Sequence, residues 1–205
     1  MRLICSAWQE EVKHLSSTIN DQHIAALGIG YLEAALRLNN ILRDGNYSRI
    51  IFLGTAGAYS EELQIGEIVN ISSVALLNPL TIQGKGYTPC ATVIARSEAT
   101  KQSIPNANCL SSLEITNCNK LSQEIIQYYN SNFVEHSAFD IQLPLVENME
   151  LYGVAKIASE QNIPWSALLG ITNHTNANAH QDWKAHHERV SEKLCEAFLS
   201  TNTNL

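Results

Sequence analysis

Four short stretches carry groups suited to acid–base or anion-binding work: Ala7 to Glu11, Gly54 to Gly57, Glu147 to Glu150, and Thr172 to Asn178. Each directly follows an apolar run, and in open α/β sheets ligands collect beyond the carboxyl ends of the strands. Glu10 and Glu11, at what reads as a helix start, are ordinary partners for a helix dipole. Glu150 lies among Leu145, Val146, Met149 and Val154. A carboxylate without partners is costly in such company, so it either caps a helix or reaches into a polar cleft. Gly54-Thr55-Ala56-Gly57 either exposes backbone N–H groups to an oxygen ligand or makes a tight structural turn. Asn173 stands at the end of an apolar run, a place where Asn commonly turns the chain.

Other chemistries find no foothold. The glycine run matches neither the dinucleotide fingerprint nor the Walker loop, and no G-x-S-x-G elbow is present. His174, His180, Asp182, His186 and His187 fit no zinc ligand spacing and read as a loop and a solvated helix face. The five cysteines (Cys5, Cys90, Cys109, Cys118, Cys195) are odd in number and contain no C-x-x-C pair. They read as buried thiols rather than a disulfide framework. Neither a cofactor nor a metal is expected.

The elements that must position these groups follow from periodicity. Arg2 to Ser6 reads as a strand leading into a helix over Gln9 to Leu15. His23 to Leu27 is a second strand reaching Gly28-Ile29-Gly30, after which Tyr31, Leu32, Ala35, Leu36, Leu38 and Leu42 recur at helical spacing until Asp44-Gly45. Ile50 to Leu53 is a buried strand running into a loop at Gly54 to Gly57, and Ile65 to Val69 and Ile71 to Leu77 read as two further strands. From Pro79 to Asn119 the pattern weakens into an expected surface excursion, with Ala95 to Asn108 polar and proline-broken. Leu121 to Tyr129 and Met149 to Gln161 read as helices, Trp165 to Ile171 as a buried strand, and Trp183, Val190, Leu194 and Phe198 mark a closing amphipathic helix. Alternating strands and helices, the strands apolar on both faces, predict an α/β fold with a central mixed, largely parallel sheet flanked by helices. No repeat or linker divides residues 1–205, which are expected to form a single domain.

Composition narrows the partners. Hydrophobic residues make up 45% and charged ones 16%, with 19 Asn carrying much of the polarity, which excludes a disordered chain. A formal charge of −7 offers no basic field for nucleic acid. No apolar run approaches the roughly 20 residues that span a bilayer, and Met1 to Trp8 is too short for a signal peptide. The expectation is a soluble cytoplasmic protein that binds a small molecule and neither nucleic acid nor membrane.

Taken in order, these segments resemble the purine nucleoside phosphorylase and nucleosidase superfamily, closest to 5′-methylthioadenosine/S-adenosylhomocysteine nucleosidases. Ala7-Trp8-Gln9-Glu10-Glu11-Val12 is similar to that family's A-M-E-E-E-V, Gly28-Ile29-Gly30 with Ala34-Ala35 to its S-G-I-G-K-x-x-A-A, and Gly54-Thr55-Ala56-Gly57 to its G-S-A-G. Leu63 to Val69 is similar to L-x-V-G-D-I-V, Met149-Glu150 to the M-E pair, and Thr172-Asn173 falls where the family has S-D. The stretch from Pro79 to Asn119 aligns poorly, and the segment between the first helix and His23 looks shortened by a strand pair.

The resemblance implies cleavage of the N-glycosidic bond of a purine nucleoside. Positive charge then develops on the ribose and negative charge on the departing base, so anions belong near the sugar and proton donors near the base. It implies that Glu11 activates the attacking water, that Glu150 holds the ribose hydroxyls, and that Thr55, Ala56, Gly57, Met149 and Thr172 line the substrate site. Asn173 departs from the family's Asp: an amide cannot transfer a proton, but its NH2 donates hydrogen bonds. A similar Asn in 6-oxopurine phosphorylases and futalosine hydrolases points to a 6-oxo base. Phosphorylases of the hexameric type place Arg two residues before the strand-end Gly, here Phe52, and nucleosidases keep an Arg four residues before their Asp, here Leu169. Water is therefore expected as nucleophile ahead of phosphate, with a catalytically weak nucleoside-binding protein as a third reading. A homodimer is expected by the same resemblance.

Overall fold

The structure, a computed structural model, describes residues 1–15, 22–76, 78–85, 93–94, 104–112, 114–132 and 142–202. Its first layer grows from short apolar runs. Leu3, Ile4 and Cys5 are fully buried in strand β1 (Arg2–Ser6), which lies parallel between β2 (Gln22–Ala26) and β3 (Arg49–Ala58). After β1 comes a single 3-10 turn, Gln9–Val12, where the sequence pattern predicted a longer helix. Helix α1 (Tyr31–Asp44) ends at the expected Asp44-Gly45, with Ala34 and Leu38 on its buried face.

Strand β3 does not give way to a loop at Gly54. It continues through Thr55, Ala56 and Gly57 to Ala58, pairing in parallel with β8 (Trp165–His174) across a bulge between Ala56 and Gly57. The two strands expected between Ile65 and Leu77 are one, β4 (Ile68–Leu76). Gly66, with φ +93, turns the chain into it, and its N–H donates to Ile171 O at 2.8 Å.

The expected excursion after Pro79 holds a short helix α2 (Pro79–Ile82), a two-residue strand β5 (Val93–Ile94), and then β6 (Asn106–Ser111), a strand buried along nearly its whole length. Its polar side chains find partners across the ladder. Asn70 Nδ2 donates to Asn106 Oδ1 at 2.8 Å, Ser73 Oγ to Asn108 Oδ1 at 3.1 Å, and Asn108 Nδ2 to Tyr129 Oη of helix α3 (Asn119–Asn132) at 2.8 Å. Strand β7 (Leu145–Glu147) lies parallel to β6 and antiparallel to β3; helix α4 (Leu151–Glu160) precedes β8, and α5 (Ala179–Asn202) closes the fold.

The mixed sheet runs β2-β1-β3-β7-β6-β4-β5, and β8 pairs with both β3 and β4. Strand β8 therefore closes β3, β7, β6, β4 and β8 into a ring, with β1 and β2 extending from β3. The main core packs α1 and α4 against one side through Leu38, Leu151, Val154 and Ala158, while Leu194 and Phe198 of α5 cover the other side with Leu53 and Leu168. A Cβ at Gly153 would stand 2.0 Å from the carbonyl oxygen of Tyr31, so α1 and α4 are in backbone contact. That contact brings the Gly30 turn to the start of α4.

Candidate active site

One cavity of about 370 Å³ opens where β1, β3, β7 and β8 end. Glu11, Thr55, Ala56, Gly57, Met149, Glu150, Thr172 and Asn173, which the sequence reading singled out, all line it. The convergence is made by strand register: parallel pairing of β1 with β3 sets the 3-10 turn beside Thr55, and the β3–β8 ladder sets Gly57 against Asn173.

Glu11 serves two purposes at once. Its Oε2 accepts the Trp8 N–H at 3.2 Å, closing the 3-10 turn locally. Its Oε1 accepts both the N–H and the Oγ1–H of Thr55, at 3.0 and 3.1 Å. Burial raises its carboxyl pKa to about 7, the nearby Glu150 charge adds to the rise, and these hydrogen bonds pull it back. A carboxyl poised near neutrality is suited to exchanging a proton at working pH.

Glu150 does not cap α4, although it occupies the N-cap position. Asn148 does so: its Oδ1 accepts the N–H groups of Glu150 and Leu151 at 3.0 and 2.8 Å, while its Nδ2 donates to Thr55 O at 3.0 Å. Glu150 is thereby free to turn away from its own helix, and its Oε1 accepts the Gly30 N–H at 2.8 Å. Gly30 holds φ +88, a conformation open to glycine without strain, and so presents that N–H. Burial raises the Glu150 pKa against the pull of these donors.

Asn173 has its amide oriented by its neighbours. Nδ2 donates to His174 O at 3.1 Å, and Oδ1 accepts from Thr172 Oγ1 at 2.9 Å, a hydroxyl that also lies 3.2 Å from Ala56 O. One N–H of the amide is thus committed within β8, which leaves the second for a ligand.

Several cavity residues were assigned no role in the sequence reading of the site. Glu147 is a third buried carboxyl: Tyr59 Oη–H donates to its Oε2 and the Thr116 N–H to its Oε1, both at 2.9 Å, and burial raises its pKa. The alternation of strand β7 carried that signal, since Leu145 and Glu147 share a face, but the strand is only three residues long. His180, Trp183 and His187, spaced along one face of α5, wall the cavity; Trp183 is the apolar-face residue expected there and His180 is exposed as expected, whereas His187 is half-buried in place of the expected solvated position. Their rings stack in series with Trp8: His180–Trp183, Trp183–His187 and Trp8–His187 have centroids 6.2, 4.6 and 6.1 Å apart. Ile29 and Ile115 complete the apolar rim. Among the described residues, no Lys or Arg lines the cavity and no group of His, Cys, Asp and Glu side chains is gathered to hold a metal ion. Cys5, Cys109 and Cys195 are buried thiols, whereas Cys118 is exposed; Cys90 lies outside the described residues.

The fold is similar to several solved structures at low sequence identity. Futalosine hydrolase of Helicobacter pylori strain 26695, in a mutant form, superposes with a TM-score of 0.80 at 15% identity, covering 100% of this chain and 99% of that one. The 5′-methylthioadenosine/S-adenosylhomocysteine nucleosidase of Neisseria meningitidis, in complex with methylthio-immucillin-A, gives 0.81 at 12% identity, covering 100% and 99%. The corresponding nucleosidase of S. pneumoniae, with a transition-state inhibitor, gives 0.80 at 16% identity, covering 98% of each chain. A search of curated protein sequences finds no match. The sequence profile of the phosphorylase superfamily, however, matches residues 16–201, which take in the Gly28 turn, the β3–β8 ladder and both Glu150 and Asn173, and by that match the chain belongs to the phosphorylase superfamily.

Proposed function

We propose that this protein is a purine nucleoside N-ribohydrolase, cleaving the N-glycosidic bond with water, with residues 1–205 acting as one unit. The observation that carries the reading is Glu11: a buried carboxyl held by Trp8 and Thr55, lining the cavity, with a pKa raised to about 7. In the ionised form it takes a proton from a water placed against the anomeric carbon. Glu150, across the cavity, accepts hydrogen bonds from the ribose hydroxyls, and its charge favours the positive charge that develops on the sugar. Thr55, Ala56, Gly57, Met149 and Thr172 form the walls around the sugar and base. Asn173 donates its remaining N–H to the base, which favours a 6-oxopurine acceptor such as that of inosine or futalosine. The stacked rings of Trp8, His187 and Trp183 offer a face for a flat or apolar part of the substrate.

Water is favoured over phosphate because the described cavity wall carries no Lys or Arg. Phe52 and Leu169, at the positions where relatives of the family pattern carry Arg, are fully buried in the core. Incubation with inosine, futalosine, adenosine and 5′-methylthioadenosine, with and without phosphate, tests the reading. Free base plus ribose is the expected product from a 6-oxo substrate. Ribose 1-phosphate, formed only with phosphate present, would make the protein a phosphorylase, and tight binding without turnover would make it a nucleoside-binding protein.

We further propose that the enzyme works in the cytoplasm as a homodimer. No helix among the described residues is long and apolar enough to cross a membrane. Ile29, in the turn before α1, and Leu32 and Leu36 on α1 are 54–70% exposed apolar side chains suited to burial against a second copy. Light scattering at micromolar concentration is expected to give twice the chain mass; a monomer would remove the dimer from the proposal.

A further inference from the structure

Departure of a purine as a neutral base requires a proton on one of its ring nitrogens, and the Asn173 amide has none to give. The need for an acid at that end of the cavity rests on the N-ribohydrolase reading. The geometry around Gly57 points to where the acid is. A Cβ at Gly57 would stand 2.9 Å from Asn173 Nδ2, 3.3 Å from Glu147 Cγ and 3.3 Å from Glu147 Oε1. The amide and the carboxyl therefore converge on the space left by one missing methyl group. Strand pairing enforces this, because Gly57 is opposite Glu147 in the β3–β7 ladder and opposite Asn173 in the β3–β8 ladder.

We propose that Glu147 is the proton donor to the departing purine, with Asn173 orienting the base beside it. The carboxyl is built for one orientation. Thr116 N–H and Tyr59 Oη–H hold its two oxygens, and Tyr59 Oη is 3.3 Å from Thr116 Oγ1, so the same groups that orient the acid stabilise the carboxylate it becomes. Burial raises the carboxyl's pKa above the usual range, against the pull of the Thr116 and Tyr59 hydrogen bonds. Among the described residues, the ionisable groups facing it are Tyr59, which directly follows β3, and Cys109 from β6, both pushed up by burial and by the Glu147 charge, with Glu150 and Glu11 on the same cavity. None is a cation that would force Glu147 to ionise.

The reaction then balances. The C1′–N9 bond breaks with its electron pair going to the purine, and the Glu147 proton passes to a purine ring nitrogen. The water oxygen bonds to C1′ and its proton passes to Glu11. One turnover leaves Glu147 ionised and Glu11 protonated; exchange of one proton through solvent restores both, and the net change is nucleoside plus water to ribose plus purine.

The test compares inosine with 7-methylinosine, whose base is already cationic and leaves as a neutral molecule without any added proton. Glu147→Gln is expected to slow inosine cleavage by about 10²-fold while changing 7-methylinosine cleavage by no more than about threefold, the signature of a lost general acid. Adding Asn173→Asp to that variant places an acid on the other strand that flanks β3 and is expected to restore part of the inosine turnover. Equal effects on the two substrates, or a double variant as slow as the single one, would overturn the role of Glu147. Should Glu147→Gln not fold, the wild-type pH–rate profiles decide the matter. Inosine turnover is expected to fall on the alkaline side as Glu147 loses its proton, whereas 7-methylinosine turnover holds level; superimposable profiles would overturn the proposal. A wild type inert toward both nucleosides would overturn the ribohydrolase reading itself, a different result from a wild type that cleaves both and a variant that matches it.

Discussion

The two ends of the cavity are built on opposite principles. At the Glu11 end, donors from distant segments join the Trp8 N–H of the local turn: Thr55 offers Glu11 an N–H and a hydroxyl, and across the cavity Gly30 offers its N–H to Glu150. At the Asn173 end the amide is tied to its immediate neighbours, His174 and Thr172, and the nearest carboxyl is satisfied by Tyr59 and Thr116. The first end is arranged to hold negative charge close to where a sugar would become positive. The second is arranged to hold neutral polar groups in fixed orientation. Work on the sugar and work on the base are thus carried by different strands, so substitution of Glu11 or Glu150 is expected to slow every substrate, whereas substitution of Asn173 alters choice of base and substitution of Glu147 slows only those bases that need a proton to leave.

The sharpest break in that contrast is Glu11→Gln. It keeps the shape and loses the base, so nucleoside binding is expected to stay near wild type while kcat falls by roughly 10²- to 10³-fold. Isothermal titration beside steady-state kinetics reads both quantities; unchanged turnover would take Glu11 out of the mechanism. Glu150→Ala is expected to raise KM and lower kcat together, by about 10²-fold in kcat/KM, because its hydrogen bonds exist in the bound state and strengthen as charge develops. Normal kinetics with a lower melting temperature would instead make Glu150 a purely structural partner of Gly30.

The charged end also sets a pH dependence of stability. In the folded protein Glu11 titrates at about 7, raised from an ordinary value of 4.5. The folded state therefore binds the proton more tightly than the unfolded chain, and this stability is fully present below pH 4.5 and lost as pH rises through 7. Glu150 and Glu147, also raised, act with the same sign. Urea denaturation of the free enzyme is expected to show a loss on the order of 2 kcal/mol between pH 5 and pH 8, and Glu11→Gln is expected to flatten the curve. A variant that keeps the wild-type slope would show that other groups dominate it.

The smallest effect belongs to the opposite end. Asn173→Asp is expected to shift the ratio of kcat/KM values toward 6-aminopurine nucleosides by roughly 10-fold, since a mismatched hydrogen-bond pair leaves a desolvated polar group costing about 1–3 kcal/mol. A wild type that already prefers methylthioadenosine to inosine, with the ratio unchanged in the variant, would show that Asn173 does not read the base.

Local pattern determined a good part of the molecule. The runs at Arg2–Ser6, Gln22–Ala26 and Trp165–His174, the helices Tyr31–Asp44, Leu151–Glu160 and Ala179–Asn202, and the stops between them follow from apolar periodicity and turn residues, which act over a few residues. The candidate residues were legible for the same reason, as polar groups stationed at the ends of apolar runs. Strand β6 was not legible. In Asn106-Ala107-Asn108-Cys109-Leu110-Ser111 only the small Ala107 and Cys109 mark an apolar face, and burying Asn108 is favourable only once Ser73 and Tyr129 are in place to bond it. Gly54 to Gly57 likewise looks like a loop until β8 lies alongside to accept it as strand. Closure of the ring by β8 and the meeting of Glu147 with Asn173 over Gly57 depend on pairing of β3 with strands far along the chain, and Asn148, which caps α4 in place of Glu150, is itself anchored on Thr55 O, 93 residues away. Residue types set which groups were available for chemistry; strand register, a property of the folded chain alone, decided which of them face one another.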